Sequence, residues 1–180
     1  ATKQDSCHVL GDVIISPDEV PSEFILDANS LIRDKGWIYL KGAKKQERTT
    51  SEGFTYPYNE GPVTFPDKLD RASRTIVTGE GGTSPSRFKH VIKFKPTPDT
   101  IKELNLKSKE CDVVREKLSL GKDEWLRRLV PLELERLNGF PDNHTKAEKV
   151  SDAKRAFLMG NALVVGIVKD IADALASFDK

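Results

Sequence analysis

Apolar positions in the first half of this chain come in short runs separated by Gly and Pro. The runs are rich in β-branched and aromatic residues, which predicts strands with loops between them. A short helix is expected over Asp27–Asp34, and long ordered loops over 53–66 and 79–85. The strands are expected at Val9–Ile15, Trp37–Leu40, Thr75–Thr78 and His90–Phe94.

The spacing of apolar residues changes after Pro96-Thr97-Pro98, where prolines interrupt both helix and strand hydrogen bonding. Residues 99–119 predict a strongly charged helical stretch. The pattern therefore predicts an α+β fold in three parts. These are a β- and loop-rich region (1–95), a charged helical linker or insertion (96–121) and a C-terminal helical part (122–180).

Two helices are expected in the C-terminal part. The first covers 131–138, because Pro131 suits a first helical turn and Gly139 suits a helix end. The second covers 162–178, where apolar residues recur every three to four positions and predict one buried face. That face consists of Leu163, Ile167, Ile171, Ala174 and Leu175.

Composition narrows the class of protein only a little. The 180 residues suffice for one sizeable or two small domains, and the net charge of +1 favours no class of partner. No apolar run approaches the ~20 residues of a membrane span, and no signal peptide is evident, so a cytoplasmic protein is expected. Cys7 and Cys111 lack the spacing of a zinc site, and no metal is expected.

Basic residues are concentrated between 71 and 95, where Glu80 is the only acidic residue. A local basic patch in a neutral chain is typical of phosphate binding. A solvated strand surface explains the charges equally well. The basic residues are Arg71, Arg74, Arg87, Lys89, Lys93 and Lys95.

Two C-terminal motifs are more specific than composition. They are Arg127–Asp142, which contains Pro-Leu-Glu-Leu-Glu-Arg-Leu-Asn-Gly-Phe-Pro, and Phe157–Val165, which contains Gly-Asn-Ala. In residue type, order and separation the pair resembles the last two motifs of the cytosine-5 DNA methyltransferases. Ser73–Gly82 resembles the threonine and glycine-rich loop of that family's target-recognition region. The resemblance implies that 1–95 recognises double-stranded DNA and that 122–180 completes an α/β methyltransferase core.

In the family, the final motif forms part of the wall of the S-adenosylmethionine pocket. The resemblance therefore implies cofactor contacts for Gly160, Asn161, Ala162 and Leu163. Asn is also a residue type typical of N-caps, which predicts Asn161 as the N-cap of the last helix. Taken without the upstream motif, Gly-Asn-Ala indicates only an ordinary capped helix.

The resemblance also implies a DNA-binding surface. Thr75 is the position that would help to hold a flipped cytosine out of the stack, as chemistry on a base requires. A hairpin with a flexible glycine loop is the alternative for this segment. The other implied contacts to phosphates or base edges are Arg71, Arg74, Ser86, Arg87, Lys89 and Arg128. A second basic cluster follows the strand expected at Trp37–Leu40. It is compatible with contact to the DNA backbone, and a solvated loop explains it at least as well. Its residues are Lys41, Lys44, Lys45 and Arg48.

The residues that carry the family's chemistry are not present. The sequence has no Pro-Cys loop, no Glu-Asn-Val and no Phe-x-Gly-x-Gly, so no catalytic residue is expected. The expected partner is the N-terminal catalytic half of the same protein, and the chain is then a fragment that is inactive alone. A subunit of a split methyltransferase and a non-enzymatic, sequence-specific DNA-binding module remain as alternatives.

Overall fold

An antiparallel strand pair lies at the centre of the computed structural model, which describes residues 9–178. Strand β3 (Val91–Phe94) pairs with β4 (Trp125–Arg128), so that Val91 lies opposite Arg128 and Phe94 opposite Trp125. All four β4 residues are buried, as are three of the four in β3. The pair is therefore enclosed by the helices around it.

A second antiparallel pair, β1 (Lys44–Thr49) and β2 (Thr55–Glu60), forms a hairpin. The β1–β2 hairpin is largely exposed, with half-buried residues alternating along β2. Short 3-10 helices occur at Leu10–Val13, Pro17–Glu19, Ser22–Phe24 and Thr78–Glu80. The helices of the described residues are α1 (Ala28–Ile32), α2 (Trp37–Lys41), α3 (Pro98–Glu103), α4 (Lys109–Leu118), α5 (Pro131–Leu137), α6 (Asp152–Asn161) and α7 (Val165–Phe178).

Two apolar clusters lie on either side of the central strand pair. The first joins Trp125 and Val91 to α1, α2 and α4, and the indole N–H of Trp125 donates to the Leu26 carbonyl at 2.7 Å. The second joins Ile92 to α5 and α6 through Leu134 and Met159. Because neighbouring strand residues contribute to both clusters, the strand pair links the N-terminal helices to the C-terminal motifs.

Helix α7 does not bury its apolar residues against the rest of the described chain. Its apolar residues are exposed, with Ile167 at 57%, Ile171 at 56% and Leu175 at 63%. The apolar spacing predicted a buried face, and that prediction is wrong for the described chain. The helix also begins at Val165 rather than at 162.

Several sequence predictions are confirmed. The α+β class is confirmed, with helices and small antiparallel sheets. Helices α1 and α5 and strand β3 lie where the patterns placed them, and the charged stretch is helical in two pieces, α3 and α4.

Other element predictions are wrong. Trp37–Leu40 is helical because Trp37 is fully buried among α1 and α4, and packing outweighs its strand propensity. Val9–Ile15 contains a 3-10 turn, Thr75–Thr78 has no strand partner, and the expected loop at 53–66 contains β2. Strand β4 and helix α6 were not predicted.

Candidate functional site

The three sequence motifs meet at one groove of about 940 Å³. One wall is the segment from Ser73 to Ile76, and another is the end of α5 from Arg136 to Gly139. The third comes from the α6–α7 junction, where Met159, Ala162 and Val164 contribute. We call this site the motif groove. Its volume lies within the range of about 300–1,000 Å³ that is typical of ligand pockets.

Asn138 ties the two C-terminal motifs together. Its buried side-chain amide donates to the Met159 carbonyl at 2.9 Å, and its own carbonyl accepts from the Val165 amide at 2.8 Å. Gly139 follows with a φ of +78°, which ends α5 and leaves room beside Val165. The ends of α5 and α6 and the start of α7 are thus fixed to one another.

Gly160 precedes the end of α6 and not the start of the final helix. It lies inside α6, where an added Cβ would be 2.3 Å from the Thr78 amide nitrogen. Asn161 is the last residue of α6 and its side chain donates to the Phe157 carbonyl at 3.0 Å, so its prediction as an N-cap is wrong. The break between the helices begins after these two residues, which is why the final helix starts later than expected.

The four predicted cofactor residues are therefore placed unequally. Ala162 lines the motif groove, whereas Leu163 is 72% exposed beside it. Gly160 does not line the groove; it packs against the backbone of Thr78, close to the Ser73–Ile76 wall. Direct cofactor contact by these residues stays a prediction.

Thr75 is exposed at the motif groove, and its neighbour Arg74 is held by protein groups. The Arg74 guanidinium pairs with both oxygens of Asp67 at 2.6 and 3.1 Å and also donates to the Phe88 carbonyl. Arg71, in contrast, is exposed. Of these three residues, Thr75 and Arg71 are the better placed to meet a ligand.

A buried hydrogen-bond network of Glu80, His90 and Ser73 fixes the glycine-rich loop. The sequence patterns did not predict this network. Both carboxylate oxygens of Glu80 accept from the His90 amide, at 3.2 and 3.0 Å, and Glu80 also contacts His90 Nδ1. His90 Nε2 lies 3.2 Å from Ser73 Oγ. The available sequence signal was that Glu80 is the only acidic residue among the basic ones between 71 and 95.

Lys89 and Arg128 hold the same loop by donating to its carbonyls. Lys89 is 5% exposed, and its ammonium donates to Gly82 and Ser84 at 3.1 and 2.8 Å. Arg128 donates to the carbonyls of Gly82 and Glu23, both at 2.7 Å. Burial lowers the pKa of the Lys89 ammonium and of the Arg128 guanidinium.

Arg87 fixes the base of the β1–β2 hairpin. Its guanidinium donates to the carbonyls of Leu40 and Gly42 at 3.0 and 3.2 Å, and it pairs with Glu60 at 3.1 Å. Nearby, the Ser86 hydroxyl accepts from the Phe88 amide at 3.3 Å. DNA contacts by these residues, and by Lys89 and Arg128, stay predictions, and the structure gives each of them an intramolecular role.

In the second basic cluster, too, some side chains are buried or paired within the protein and others are exposed. Lys41 is buried, and desolvation lowers the pKa of its ammonium to about 8. Lys44 pairs with Glu60 at 3.0 Å. Lys45 and Arg48 remain exposed on β1.

No candidate nucleophile or metal site emerges from the described residues. Cys111 is buried in α4 with Ser108 Oγ at 3.4 Å, and Cys7 lies outside the described residues. Between residues 9 and 178 there is no group of three or more His, Cys, Asp or Glu side chains placed to hold a metal ion. In the same range, no helix has the length and apolar character needed to cross a membrane.

Comparison with known proteins agrees with the motifs. The model of the family described as C-5 cytosine-specific DNA methylase matches residues 18–177. The chain belongs to this family. The motif groove thus brings together three segments of a C-5 cytosine-specific DNA methylase domain.

A curated relative extends the comparison. The Type II methyltransferase M.Sau3AI of Staphylococcus aureus is 32% identical over 177 residues, which is 98% of this chain and 34% of the relative. The chain therefore spans about a third of the length of that methylase. No solved structure matches the chain.

Proposed function

We propose that this chain is the DNA-recognition and core-completing part of a cytosine-5 DNA methyltransferase. The full protein would transfer a methyl group from S-adenosylmethionine to a flipped cytosine in duplex DNA. The catalytic cysteine would come from the catalytic half, as part of the same protein or as a separate subunit. The observation that carries this proposal is the uncovered apolar face of α7, which is continuous with the motif groove.

The α7 face needs a partner because its large apolar residues recur on one side of the helix. Ile167, Ile171 and Leu175 are spaced by four residues and are all more than half exposed. Ile167 also lines the motif groove. Isolated exposed apolar residues are ordinary, but a contiguous apolar stripe marks an interaction surface. A catalytic half seated there would close the groove.

The motif groove suits S-adenosylmethionine as its ligand. Its apolar wall includes Met159 and Ala162, and its polar lining includes Asp12, Ser73, Arg74, Thr75 and Arg136. When bound, the cofactor supplies the methyl group. The protein residues would hold it between the α6–α7 junction and the catalytic half, which would keep water away from the reacting atoms.

The proposed DNA side of the groove begins at Thr75. Thr75 would lie beside the extruded nucleotide, and Arg71 would contact phosphate. Arg74, Arg87, Lys89 and Arg128 would act by holding the loops that carry the DNA contacts, because their donors already have protein acceptors. An exposed α7 face favours a chain that is completed by a catalytic half over a DNA-binding module that works alone.

Replacing Ile167 and Ile171 together by Asp should weaken association with the catalytic half at least about 100-fold. Burying each isoleucine contributes at least about 1.5 kcal/mol, and about 1.4 kcal/mol corresponds to tenfold in affinity. Isothermal titration calorimetry with the catalytic half as a separate polypeptide measures the change. Lys169→Ala on the same helix is the control and should bind as the wild type does. Unchanged affinity of the double variant would contradict the proposed interface.

A further inference from the structure

We propose that Ser73 and His90 are positioning residues for methyl transfer. His90, oriented by Glu80, holds the Ser73 hydroxyl, and this contact sets the position of Thr75 in the wall of the motif groove. The inference rests on the proposed function and deepens it, because it names the side chains that place this wall for the reaction. It is carried by a groove wall without backbone pairing, by the fixed imidazole of His90 and by the hydroxyl that joins the two.

The groove wall from Ser73 to Ile76 is placed by its side chains. Within the described residues, the backbone of these four residues makes no hydrogen bond to another backbone group, and the segment has no strand partner. Arg74 is anchored on Asp67, and Ile76 packs against the apolar cluster that contains Ile92. Thr75 lies between them and is exposed. Its position therefore depends on the contacts that its neighbours make.

Glu80 fixes His90 at two points. Its carboxylate accepts from the His90 backbone amide at 3.2 and 3.0 Å, and it also contacts ring nitrogen Nδ1. Because a carboxylate only accepts hydrogen bonds, Nδ1 carries a proton and the ring is held in one orientation. The ring is also fully buried. The remaining ring nitrogen, Nε2, is thus aimed in a defined direction.

Cations around Glu80 help to keep this carboxylate in the interior. Lys41, Lys89 and Arg128 are buried, and all three lie close enough to interact electrostatically with Glu80. Their charges offset part of the cost of burying the carboxylate. Lys89 and Arg128 also donate to the Gly82 carbonyl. The Glu80–His90 pair and the glycine-rich loop therefore form one rigid unit.

The Ser73 hydroxyl connects this unit to the motif groove. Ser73 Oγ lies 3.2 Å from His90 Nε2 and 2.9 Å from the Arg74 carbonyl oxygen. A hydroxyl can accept one hydrogen bond while it donates another, so Ser73 can bridge the imidazole and the backbone that leads to Thr75. Ser73 also lines the motif groove. His90 therefore acts on the groove wall through a single hydroxyl.

Loss of this contact should slow methyl transfer more than it weakens DNA binding. A displacement of about 1 Å in a positioning group can cost about 100-fold in rate. Affinity for DNA depends mainly on contacts with phosphates, which the change leaves in place. A positioning role therefore predicts a lower kcat with little change in the KM for DNA.

The test is a double-mutant cycle in the enzyme formed by the chain and the catalytic half. Ser73→Ala removes the hydroxyl, whereas His90→Asn keeps a donor for Glu80 but is too short to reach Ser73. Methyl transfer from tritiated S-adenosylmethionine gives kcat and the KM for DNA. We expect each change to lower kcat about 10- to 100-fold. The double variant should lose no more than His90→Asn alone, because the two residues act through one contact.

Two further variants serve as controls. Ser73→Thr keeps the hydroxyl and should restore most of the kcat that Ser73→Ala loses. Ser30→Ala removes a hydroxyl that donates to the Asp27 carbonyl in α1, outside the motif groove, and should leave kcat unchanged.

The outcomes separate this inference from the proposed function. Losses that multiply in the double variant would show that Ser73 and His90 act independently, and the inference would be wrong. A wild-type kcat for Ser73→Ala, or no recovery with Ser73→Thr, would also overturn it while leaving the proposed function intact. A wild-type mixture that transfers no methyl group overturns both.

Discussion

Replacing Arg127 by Met should lower the free energy of unfolding by about 3–5 kcal/mol, the cost of breaking a buried ion pair. The Arg127 guanidinium donates to both carboxylate oxygens of Glu133, at 2.8 and 2.6 Å. Glu133 also accepts from the amides of Ile15 and Val130. Without Arg127 its charge would remain buried and uncompensated at the start of α5. Urea unfolding followed by circular dichroism measures the loss.

Two variants make this result interpretable. Lys169→Met breaks the exposed Lys169–Asp173 pair in α7, where both side chains are more than two thirds exposed, and should change stability little. The double variant Arg127→Met with Glu133→Gln should lose less than the sum of its single changes, because the pair acts as a unit. A loss no larger for Arg127→Met than for Lys169→Met would show that the buried pair does not support the fold.

Gly160→Ala should destabilise the chain by about 3 kcal/mol, near the upper end of the usual cost of overpacking. The new Cβ would lie 2.3 Å from the Thr78 nitrogen and 2.4 Å from the Val77 carbonyl carbon. Both are backbone atoms, so no flexible side chain can move aside. Since α6 packs here against the loop that follows Thr75, the same change should loosen the motif groove. Thermal unfolding monitored by calorimetry tests the first effect.

A second helical glycine provides a matched control. Gly166 lies in α7, and an added Cβ there would meet nothing within 4 Å. Gly166→Ala should therefore not destabilise the chain and should stabilise it by up to about 0.5 kcal/mol, because alanine loses less backbone entropy in a helix and Gly166 lies in its first turn. Opposite signs at the two glycines support close packing at Gly160. Equal responses would mean that helix propensity alone explains both.

The sequence predicted the family and the α+β class better than it predicted the individual strands and helices. A family motif is a set of residue types at fixed spacing, such as Asn138-Gly139, and can be read directly from the sequence. The close packing at Gly160 depends on which segment crosses α6. No local sequence pattern shows that this is the segment containing Thr78. The helical state of Trp37–Lys41 likewise depends on a core formed by distant residues.

The contacts of the basic side chains were hard to predict for a related reason. The sequence does not show whether the N–H donors of a basic side chain will contact DNA or a carbonyl of the same chain. Lys89 and Arg128 donate to loop carbonyls, whereas the Arg48 guanidinium lies over the Tyr58 ring. Glu80 was visible as the only acid in a basic stretch, but its pairing with His90 depends on the fold.

Methyl transfer from tritiated S-adenosylmethionine to duplex DNA tests most directly whether this chain completes a methyltransferase. It compares the chain alone, the catalytic half alone and the two mixed in equal amounts. We expect incorporation of label into cytosine only in the mixture, and its loss when Ile167 and Ile171 are replaced by Asp. Methyl transfer by the chain alone, or none from a mixture that forms a stable complex, would contradict it.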